Sequence, residues 1–393
     1  MFGALKGINM HQKKSPTPLF DTLEHISETQ PNDYLFPPDL EQAKKFLFSY
    51  RGSEATFNAY RRELERFLQW GTNIENKALG NIKRTEIESY IDFCQNPPVS
   101  WVGNKNVSRF KEKNGTREIN PEWRPFVVSA TTESNKHQFS QKALQSIFAV
   151  LGSFYNYLIQ EDYLNHNPVA QIRQKSKYFR KQQGKPIIRR LSELQWSYVI
   201  ETTEMLADKN PNHHERSLFI MNALYSMYLR ISELVASTRW EPQMGHFFCD
   251  SDNNWWFTTV GKGNKQRNIA VCDAMLSALK RYRTHLCLSA LPHHGEMTPL
   301  VRKMKGNGPV TSTRQIRSIV QYCFDQSIHR MVEDGMKEEA DQMRAATVHW
   351  LRHTGISEDV KTRPREHVRD DAGHGSSAIT DKYIDVELRE RHA

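Results

Sequence analysis

Cysteine is scarce in this chain, and its five cysteines lie far apart in the sequence. An odd number without Cys-x-x-Cys spacing argues against a disulfide framework and against a structural zinc site. No cluster of carboxylates with the pattern of a paired magnesium site is visible either. The sequence therefore predicts reduced thiols, no metal and no cofactor.

Long apolar runs are missing as well. The mean hydropathy is −0.69, and no stretch approaches the roughly 20 apolar residues that cross a bilayer. Residues 1–14 lack the apolar core and the small-residue cleavage site of a signal peptide. These absences argue against an integral membrane protein and predict a cytoplasmic one.

Acidic side chains are in the minority. The chain has 54 Lys and Arg against 45 Asp and Glu, a formal net charge of +9. Such a balance favours a polyanionic partner. No basic amphipathic helix with a continuous apolar face stands out, so nucleic acid is favoured over a membrane surface.

The length of 393 residues allows two domains, each with its own core. Residues 1–37 contain several prolines and little periodicity, which predicts a flexible N-terminal arm. Residues 38–172 show helical spacing of apolar side chains. The pattern fails at 97–135, where glycines and prolines break any long element, so this insertion is predicted to be a loop.

A basic linker is predicted at residues 173–190, which carry eight Lys and Arg and no acid. Lys175, Lys177, Arg180 and Lys181 belong to it and can lie along a DNA backbone. On the second predicted helix of the first domain, Arg61, Arg62 and Arg66 are either phosphate contacts or an ordinary solvated face. Basic residues of the insertion alternate with aromatics, which either follow a nucleic-acid backbone or pin the loop to the core; the second reading is favoured.

Residues 191–393 predict a second domain that combines helices with a small antiparallel sheet. Ser192 and Gln195 form a capping-box pattern, and an apolar helix from Leu218 is expected to deliver Arg230. Short strands are expected at 247–248, 255–260 and 266–271, joined by turns. Helices are expected at 273–288, 313–332 and 336–344, and in the C-terminal stretch.

Six scattered side chains of this domain form one chemical set. Arginine stays charged and its planar fork matches phosphate oxygens, so Arg230 and Arg352 can clamp a phosphodiester from two sides. Fixed positive charge and positioning do most of the work in such a reaction. The remaining members are a lysine on a glycine-flanked turn, two histidines and a late tyrosine: Lys262, His349, His374 and Tyr383.

Each of these residues has an ordinary alternative when it is considered alone. Lys262 can be an exposed turn lysine, Lys265 can compete for its role as a proton donor, and Tyr383 can pack a terminal helix. The histidines can be structural. The full set fits a tyrosine hydroxyl that attacks a phosphodiester.

The set resembles the tyrosine recombinases of the phage-integrase family over residues 191–386. Leu229-Arg230-Ile231-Ser232-Glu233-Leu234 matches the family's first arginine box, and Gly261 to Lys265 matches its hairpin lysine. His349 to His353 matches the second arginine box. Gly373-His374 and Tyr383, nine residues later, match the last two motifs.

The resemblance implies a helical core-binding domain followed by an α+β catalytic domain, with Glu233 supporting Arg230. It also implies cleavage of double-stranded DNA through a 3′-phosphotyrosyl bond, without ATP or metal, by a homotetramer in the nucleoid. Accessory proteins stay unknown. The expected role is the integration or excision of a mobile element or phage. A type IB topoisomerase and a catalytically silent DNA-binding protein are the alternatives.

The chain departs from the family pattern at four places. Tyr228 stands where the family usually has glycine before the Leu-Arg pair. Residues 358–365 are polar and contain a proline where an apolar helix pair is expected. The insertion at 97–135 is unusual, and only ten residues follow Tyr383. None of these departures removes a group of the proposed reaction.

Overall fold

The computed structural model describes residues 16–28, 34–128, 141–173, 189–261 and 263–374, with the side chains of residues 141, 142 and 173 excepted. The chain divides into two compact units, Met1–Gly184 and Lys185–Ala393. Both are mainly helical with small sheets, which confirms the predicted fold class. Among the described helices, none combines the length and the apolar character that a membrane span requires.

The first unit is built on a helical core. Its helices are α1 (Pro37–Phe48), α2 (Glu54–Trp70), α3 (Arg84–Gln95), α4 (Gln141–Gln160) and α5 (Pro168–Arg173). Aromatic rings fill the centre, where Phe67 of α2 meets Tyr90 of α3 at a centroid distance of 5.1 Å. Helix α5 is not predicted by the apolar pattern. Its start is fixed by the Asn167 side chain, which accepts the backbone N–H of Val169 at 3.0 Å.

The insertion is not the loop that the sequence predicts. Its strands are β1 (Val102–Gly103), β2 (Phe110–Lys113), β3 (Thr116–Ile119) and β4 (Phe126–Val127). Strands β2 and β3 form an antiparallel hairpin, while β1 pairs with β4 in parallel. The hairpin turn is Asn114-Gly115, where both residues have positive φ, 51° and 77°. An Asn-Gly turn of this kind matches the twist of the flanking strands.

Aromatic residues fasten the insertion to the helical core. Trp101, Trp123 and Phe126 are buried, and the Trp101 ring meets Phe93 of α3 edge-on at 4.9 Å. Burial of rings of this size is a large apolar contribution to packing. The favoured interpretation of these aromatics, core packing, agrees with their position.

Part of the predicted arm also packs against the helices. Leu19, Phe20 and Ile26 are buried, and the backbone N–H of Leu19 donates to the Glu65 carboxylate of α2 at 2.8 Å. The prediction of a flexible arm is therefore wrong for residues 16–28. The segment is held by its buried apolar side chains and by the hydrogen bond from its backbone to Glu65. The number of prolines gives no information about either contact.

The second unit surrounds a three-stranded antiparallel sheet. Its helices are α6 (Glu193–Lys209), α7 (Pro211–Ser226), α8 (Asp273–His285), α9 (Thr313–Glu333), α10 (Lys337–Met343), α11 (Val348–Thr362) and α12 (Arg365–Ala372). The strands β5 (Phe247–Cys249), β6 (Trp255–Val260) and β7 (Gln266–Ala270) lie in the order β5-β6-β7. The predicted strands are confirmed within a residue or so at each end.

Two helix boundaries in this unit test local sequence signals, one at the start of α6 and one at the end of α7. The Ser192 hydroxyl accepts the backbone N–H of Gln195 at 3.2 Å, which confirms the predicted capping box. Helix α7, however, begins at Pro211 and ends at Ser226, so it does not deliver Arg230 directly. The helix stops because Tyr228 has a φ of 48°, a left-handed conformation that cannot continue a right-handed helix.

Candidate functional site

Arg230 lies on the short turn that follows α7, where Glu233 holds it. The backbone N–H of Arg230 donates to Glu233 Oε2 at 2.9 Å, and its Nη1 donates to Oε1 at 3.0 Å. The Glu233 side chain is 1% exposed, whereas that of Arg230 is 28% exposed. The carboxylate thus fixes the guanidinium from the interior while one side of it stays open to solvent.

A third arginine, Arg267 of β7, also binds Glu233, and it is not among the site residues that the sequence predicts. Its Nη1 and Nη2 donate to the two Glu233 carboxylate oxygens at 2.9 and 2.8 Å. Its Nε donates to the backbone carbonyl of Asp371 at 2.8 Å. Strand alternation could have indicated that Arg267 points inward, because it lies two residues from the fully buried Ile269 and therefore on the same face of β7.

The charge of Glu233 is stabilised where it is buried. Burial acts to raise the pKa of this carboxyl, but the hydrogen bonds and charge of Arg267, with the N–H and charge of Arg230, outweigh it and leave the pKa lowered. The carboxylate therefore stays ionised and both guanidinium groups keep their orientation.

Arg352 reaches the same place from helix α11. It is 2% exposed, and its Nη1 donates to the backbone carbonyl of Tyr228. Its Nη2 donates to the carbonyl of Ala372 at 2.5 Å, and Arg230 Nη2 donates to the next carbonyl, that of Gly373, at 3.2 Å. Two arginines that are far apart in sequence thus meet at consecutive carbonyls where α12 ends.

The histidines around this pair are held in the neutral form. Burial, followed by the charges of Arg352, Arg230 and Arg267, lowers the pKa of His374 to about 4. Partial desolvation and the charges of Arg352, Arg230 and Arg189 also lower the pKa of His349. A neutral imidazole can accept a proton, which is the property a general base requires.

His353 belongs to the same cluster. Its ring lies edge-on to the His349 ring at a centroid distance of 4.3 Å. Burial, and then the charge of His349 and that of Arg352, lower its pKa to about 4. The histidine side of the site is therefore uncharged at neutral pH.

The β6–β7 hairpin begins beside the arginine pair. A Cβ at Gly261 would come within 2.8 Å of Arg267 Nη1 and 3.3 Å of Arg230 Nη1, so a side chain there would displace the guanidinium groups. Lys265, on the far side of the turn, is exposed, and its carbonyl accepts the N–H of Gly261 at 2.8 Å. Lys262 follows Gly261 in the chain but lies outside the described residues.

In the first unit, the three predicted DNA contacts on α2 differ in accessibility. Arg61 is 8% exposed, and its guanidinium donates to the Asp21 carbonyl and to Asn58. Arg66 donates to the Pro125 carbonyl at 2.7 Å. Arg62 has the most exposed side chain, at 50%. Arg62 has a partner too, because its Nε donates to Glu63 Oε1 at 2.8 Å. All three arginines thus have intramolecular partners, and their contact with DNA stays a prediction.

Several predicted site residues fall in parts of the chain that the structure does not describe. These are the proposed nucleophile and the basic residues of the linker, namely Tyr383, Lys175, Lys177, Arg180 and Lys181. Of the six members of the proposed set, Arg230, His349, Arg352 and His374 are brought together. The roles of all six stay predictions.

Comparisons with known proteins agree with this architecture. No family model matches the chain. The tyrosine recombinase XerC of Listeria welshimeri is 24% identical over 266 residues, which cover 65% of this chain and 75% of the relative.

Two solved structures share the fold. The XerH site-specific recombinase bound to palindromic difH substrate, a post-cleavage complex, has a TM-score of 0.57 at 13% identity and covers 94% of this chain and 92% of its own. The lambda integrase tetramer bound to a Holliday junction has a TM-score of 0.53 at 13% identity, over 90% of this chain and 78% of its own.

The fold is therefore the one found in these site-specific recombinase and integrase structures. In sequence, the chain is similar to a tyrosine recombinase, XerC. Sequence and fold thus agree on a similarity to the tyrosine recombinases.

Proposed function

We propose that this chain is a site-specific recombinase that cuts and rejoins double-stranded DNA through a 3′-phosphotyrosyl intermediate. The observation that carries the proposal is the meeting of Arg230 and Arg352 at the carbonyls of residues 372 and 373, beside His374. A phosphate placed there would exchange two neutral carbonyl acceptors for charged oxygens, which bind guanidinium groups more strongly.

In the proposed reaction the Tyr383 hydroxyl attacks the scissile phosphorus. A bond forms between the tyrosine oxygen and phosphorus, and the bond to the 5′-oxygen breaks, which releases a 5′-hydroxyl. His349 takes the tyrosine proton and Lys262 donates one to the leaving oxygen. Arg230, Arg352 and His374 stabilise the charge that develops on the non-bridging oxygens. The 5′-hydroxyl of a partner strand then reverses the step.

The proposal also covers the oligomeric state of the chain on DNA and its biological role. The lambda integrase structure is a tetramer on a Holliday junction, which supports a homotetramer of this chain on DNA. A role in integrating or excising a mobile element or phage is supported by the same likeness. Because one phosphodiester is exchanged for another, the reaction as written needs neither ATP nor metal.

A covalent adduct tests the chemistry. Duplex fragments from the DNA that flanks the coding region, each carrying a nick beside the candidate site, are incubated with the protein in EDTA and without ATP. We expect a protein–DNA adduct that survives denaturation, and its loss in Tyr383→Phe with DNA binding retained. Binding without any adduct would leave a silent DNA-binding protein.

A second assay separates the two enzyme classes. Strand exchange between two duplexes that carry the site is expected of a recombinase. Relaxation of a supercoiled circle without exchange would select a type IB topoisomerase instead. An adduct that disappears in EDTA would refute the metal-independent mechanism.

A further inference from the structure

Tyr228 has a backbone conformation that its residue type does not favour. Its φ is 48°, and in the left-handed region the Cβ of an L-residue crowds the following carbonyl oxygen. A bulky aromatic residue stays in that region only where its surroundings determine the conformation strongly. The contacts of its side chain therefore need an explanation.

The Tyr228 side chain is tied to the end of helix α11. Its hydroxyl donates to the Asp359 carboxylate and accepts from Arg363 Nη1 at 3.1 Å. Arg363 Nη1 also donates to Asp359 at 3.1 Å, and Nη2 donates to Asp371 of α12 at 2.6 Å. One phenol, two carboxylates and one guanidinium thus form a closed network.

The packing around the ring supports the same conformation. Tyr228 is 1% exposed and shares a small apolar cluster with Ile356, Val368 and Ala372, separate from the main core of the unit. Helix α11 comes this close because residue 355 is glycine: a Cβ there would overlap the carbonyl oxygen of Tyr225 and lie 3.2 Å from the Tyr228 ring.

The backbone of Tyr228 connects this network to both arginines. Its carbonyl accepts the Arg352 Nη1 N–H, and Arg230 follows two residues later on the same turn. The direction of the carbonyl and the path of the chain into Arg230 both depend on the dihedral angles of Tyr228. A change in those angles would move the two guanidinium groups relative to each other.

We propose that Tyr228 is a positioning residue, whose hydroxyl network with Asp359, Arg363 and Asp371 holds the left-handed turn that sets Arg230 and Arg352 at their mutual distance. The proposal rests on the proposed function, since it concerns the same phosphate clamp. It also accounts for the polar segment 358–365, because Asp359 and Arg363 are the partners of the phenol. A glycine at this position would adopt the left-handed conformation without strain, whereas Tyr228 is held in it by side-chain contacts.

The matched variants Tyr228→Gly and Tyr228→Ala test the proposal. Both remove the phenol and leave nearly the same cavity, but only glycine adopts the left-handed conformation without strain. The measurement is the single-turnover rate of adduct formation at saturating nicked DNA, beside the DNA dissociation constant and the thermal midpoint. We expect the alanine variant to form the adduct about tenfold or more slowly than the glycine variant, with equal DNA affinity.

A second pair supplies the control. Asn253 has a φ of 64° on the exposed turn between β5 and β6. Asn253→Gly and Asn253→Ala are expected to form the adduct at the wild-type rate, which separates a general effect of backbone strain from an effect at the arginine turn. Slower adduct formation in Asn253→Ala would overturn the specific role of Tyr228.

Tyr228→Phe keeps the proposal testable if the alanine variant does not fold. Removing the hydroxyl alone is expected to slow adduct formation about threefold to tenfold, and adding Asp359→Asn is expected to change the rate little further, because both changes break one network. Equal rates for the glycine and alanine variants, or a phenylalanine variant as fast as wild type, would refute the positioning role. Failure of the wild-type protein to form any adduct would instead refute the proposed function.

Discussion

Arg267 and Glu233 form a two-point ion pair in the interior of the second unit, with Nη1 and Nη2 2.9 and 2.8 Å from the two carboxylate oxygens. The same carboxylate holds Arg230. The hairpin strand, the arginine turn and the end of α12 are thus joined through one side chain, because Arg267 Nε also donates to the carbonyl of Asp371.

Arg267→Lys is expected to slow adduct formation. A lysine keeps the charge but cannot bond both carboxylate oxygens and a carbonyl in one plane, so Arg230 loses its fixed support. Small misplacement of a reacting group lowers a rate by roughly a hundredfold, and we expect a loss of about tenfold or more. The rate is measured on nicked DNA at saturating protein.

Arg281→Lys is the matched control for that change. Arg281 also binds a glutamate, with Nε and Nη2 on Glu215 at 3.0 and 2.7 Å, but it lies on α8 and contacts none of the proposed site residues. Its variant should form the adduct at the wild-type rate. A similar loss in both variants would show that the effect is one of stability alone.

Glu233→Gln is expected to destabilise the second unit. The substitution keeps the shape but leaves Arg230 and Arg267 without a carboxylate, and breaking a buried ion pair by removing one partner costs about 3 kcal/mol. The free energy of unfolding is measured by urea titration. Glu215→Gln is the control, with a smaller expected loss because its partner Arg281 is 37% exposed.

The stability difference between wild type and Glu233→Gln is also expected to depend on pH. The pKa of Glu233 is lowered in the folded state, so its ionised form contributes stability above the unfolded pKa of about 4.3. That contribution is lost as the pH falls through the lower folded value. The difference between wild type and Glu233→Gln should therefore shrink below about pH 4, and a constant difference would contradict the prediction.

Glycine 355 is expected to be intolerant of any side chain. In Gly355→Ala the new Cβ would overlap the carbonyl oxygen of Tyr225, so α11 must move away from α7. Overpacking of this kind costs about 1–3 kcal/mol, occasionally more. Gly152→Ala in α4 is the control, since its nearest neighbour would lie at 4.0 Å and alanine favours a helix by about 1 kcal/mol. A thermal midpoint unchanged in Gly355→Ala would contradict the packing.

Protonation of the histidine cluster is expected to destabilise the protein. The pKa of His353 is lowered to about 4 from 6.5, and that of His374 is likewise lowered to about 4. Between these values the unfolded chain binds protons that the folded chain does not, so stability falls as the pH drops from about 6.5 to about 4. Urea titrations at pH 7 and pH 5 are expected to show a smaller drop in His353→Gln than in wild type; equal drops would contradict this.

Features with local signals could be predicted from the sequence. The capping box at Ser192, the strands around the Gly261–Lys265 turn and the boxes around Arg230 and Arg352 all depend on residues close together in the chain. The Asn114-Gly115 turn was also a local signal, and the insertion hairpin follows from it. The weak apolar alternation of its strands, which are almost wholly exposed, explains why the pattern indicated a loop.

Features that depend on distant partners could not be predicted. Arg267 pairs with Glu233, 34 residues away in the sequence, and the phenol of Tyr228, just after α7, bonds Asp359 and Arg363. Residues 16–28 are ordered by Glu65 and by Arg117, which binds Asp21 at 2.5 and 2.6 Å. In each case the contact that decides the structure is tertiary, so no periodic pattern in the sequence indicates it.

The carbonyl of Gly373 is an acceptor that a phosphate would displace, since Arg230 Nη2 cannot serve both fully. Entry of DNA and loss of the contact between Arg230 and residue 373 would then be one competitive event, so that the end of α12 would loosen only when a phosphate occupies the two arginines. The amide of His374, which donates to the Arg369 carbonyl at 3.1 Å, would report it: its hydrogen exchange should accelerate on DNA binding, and unchanged exchange would exclude such coupling.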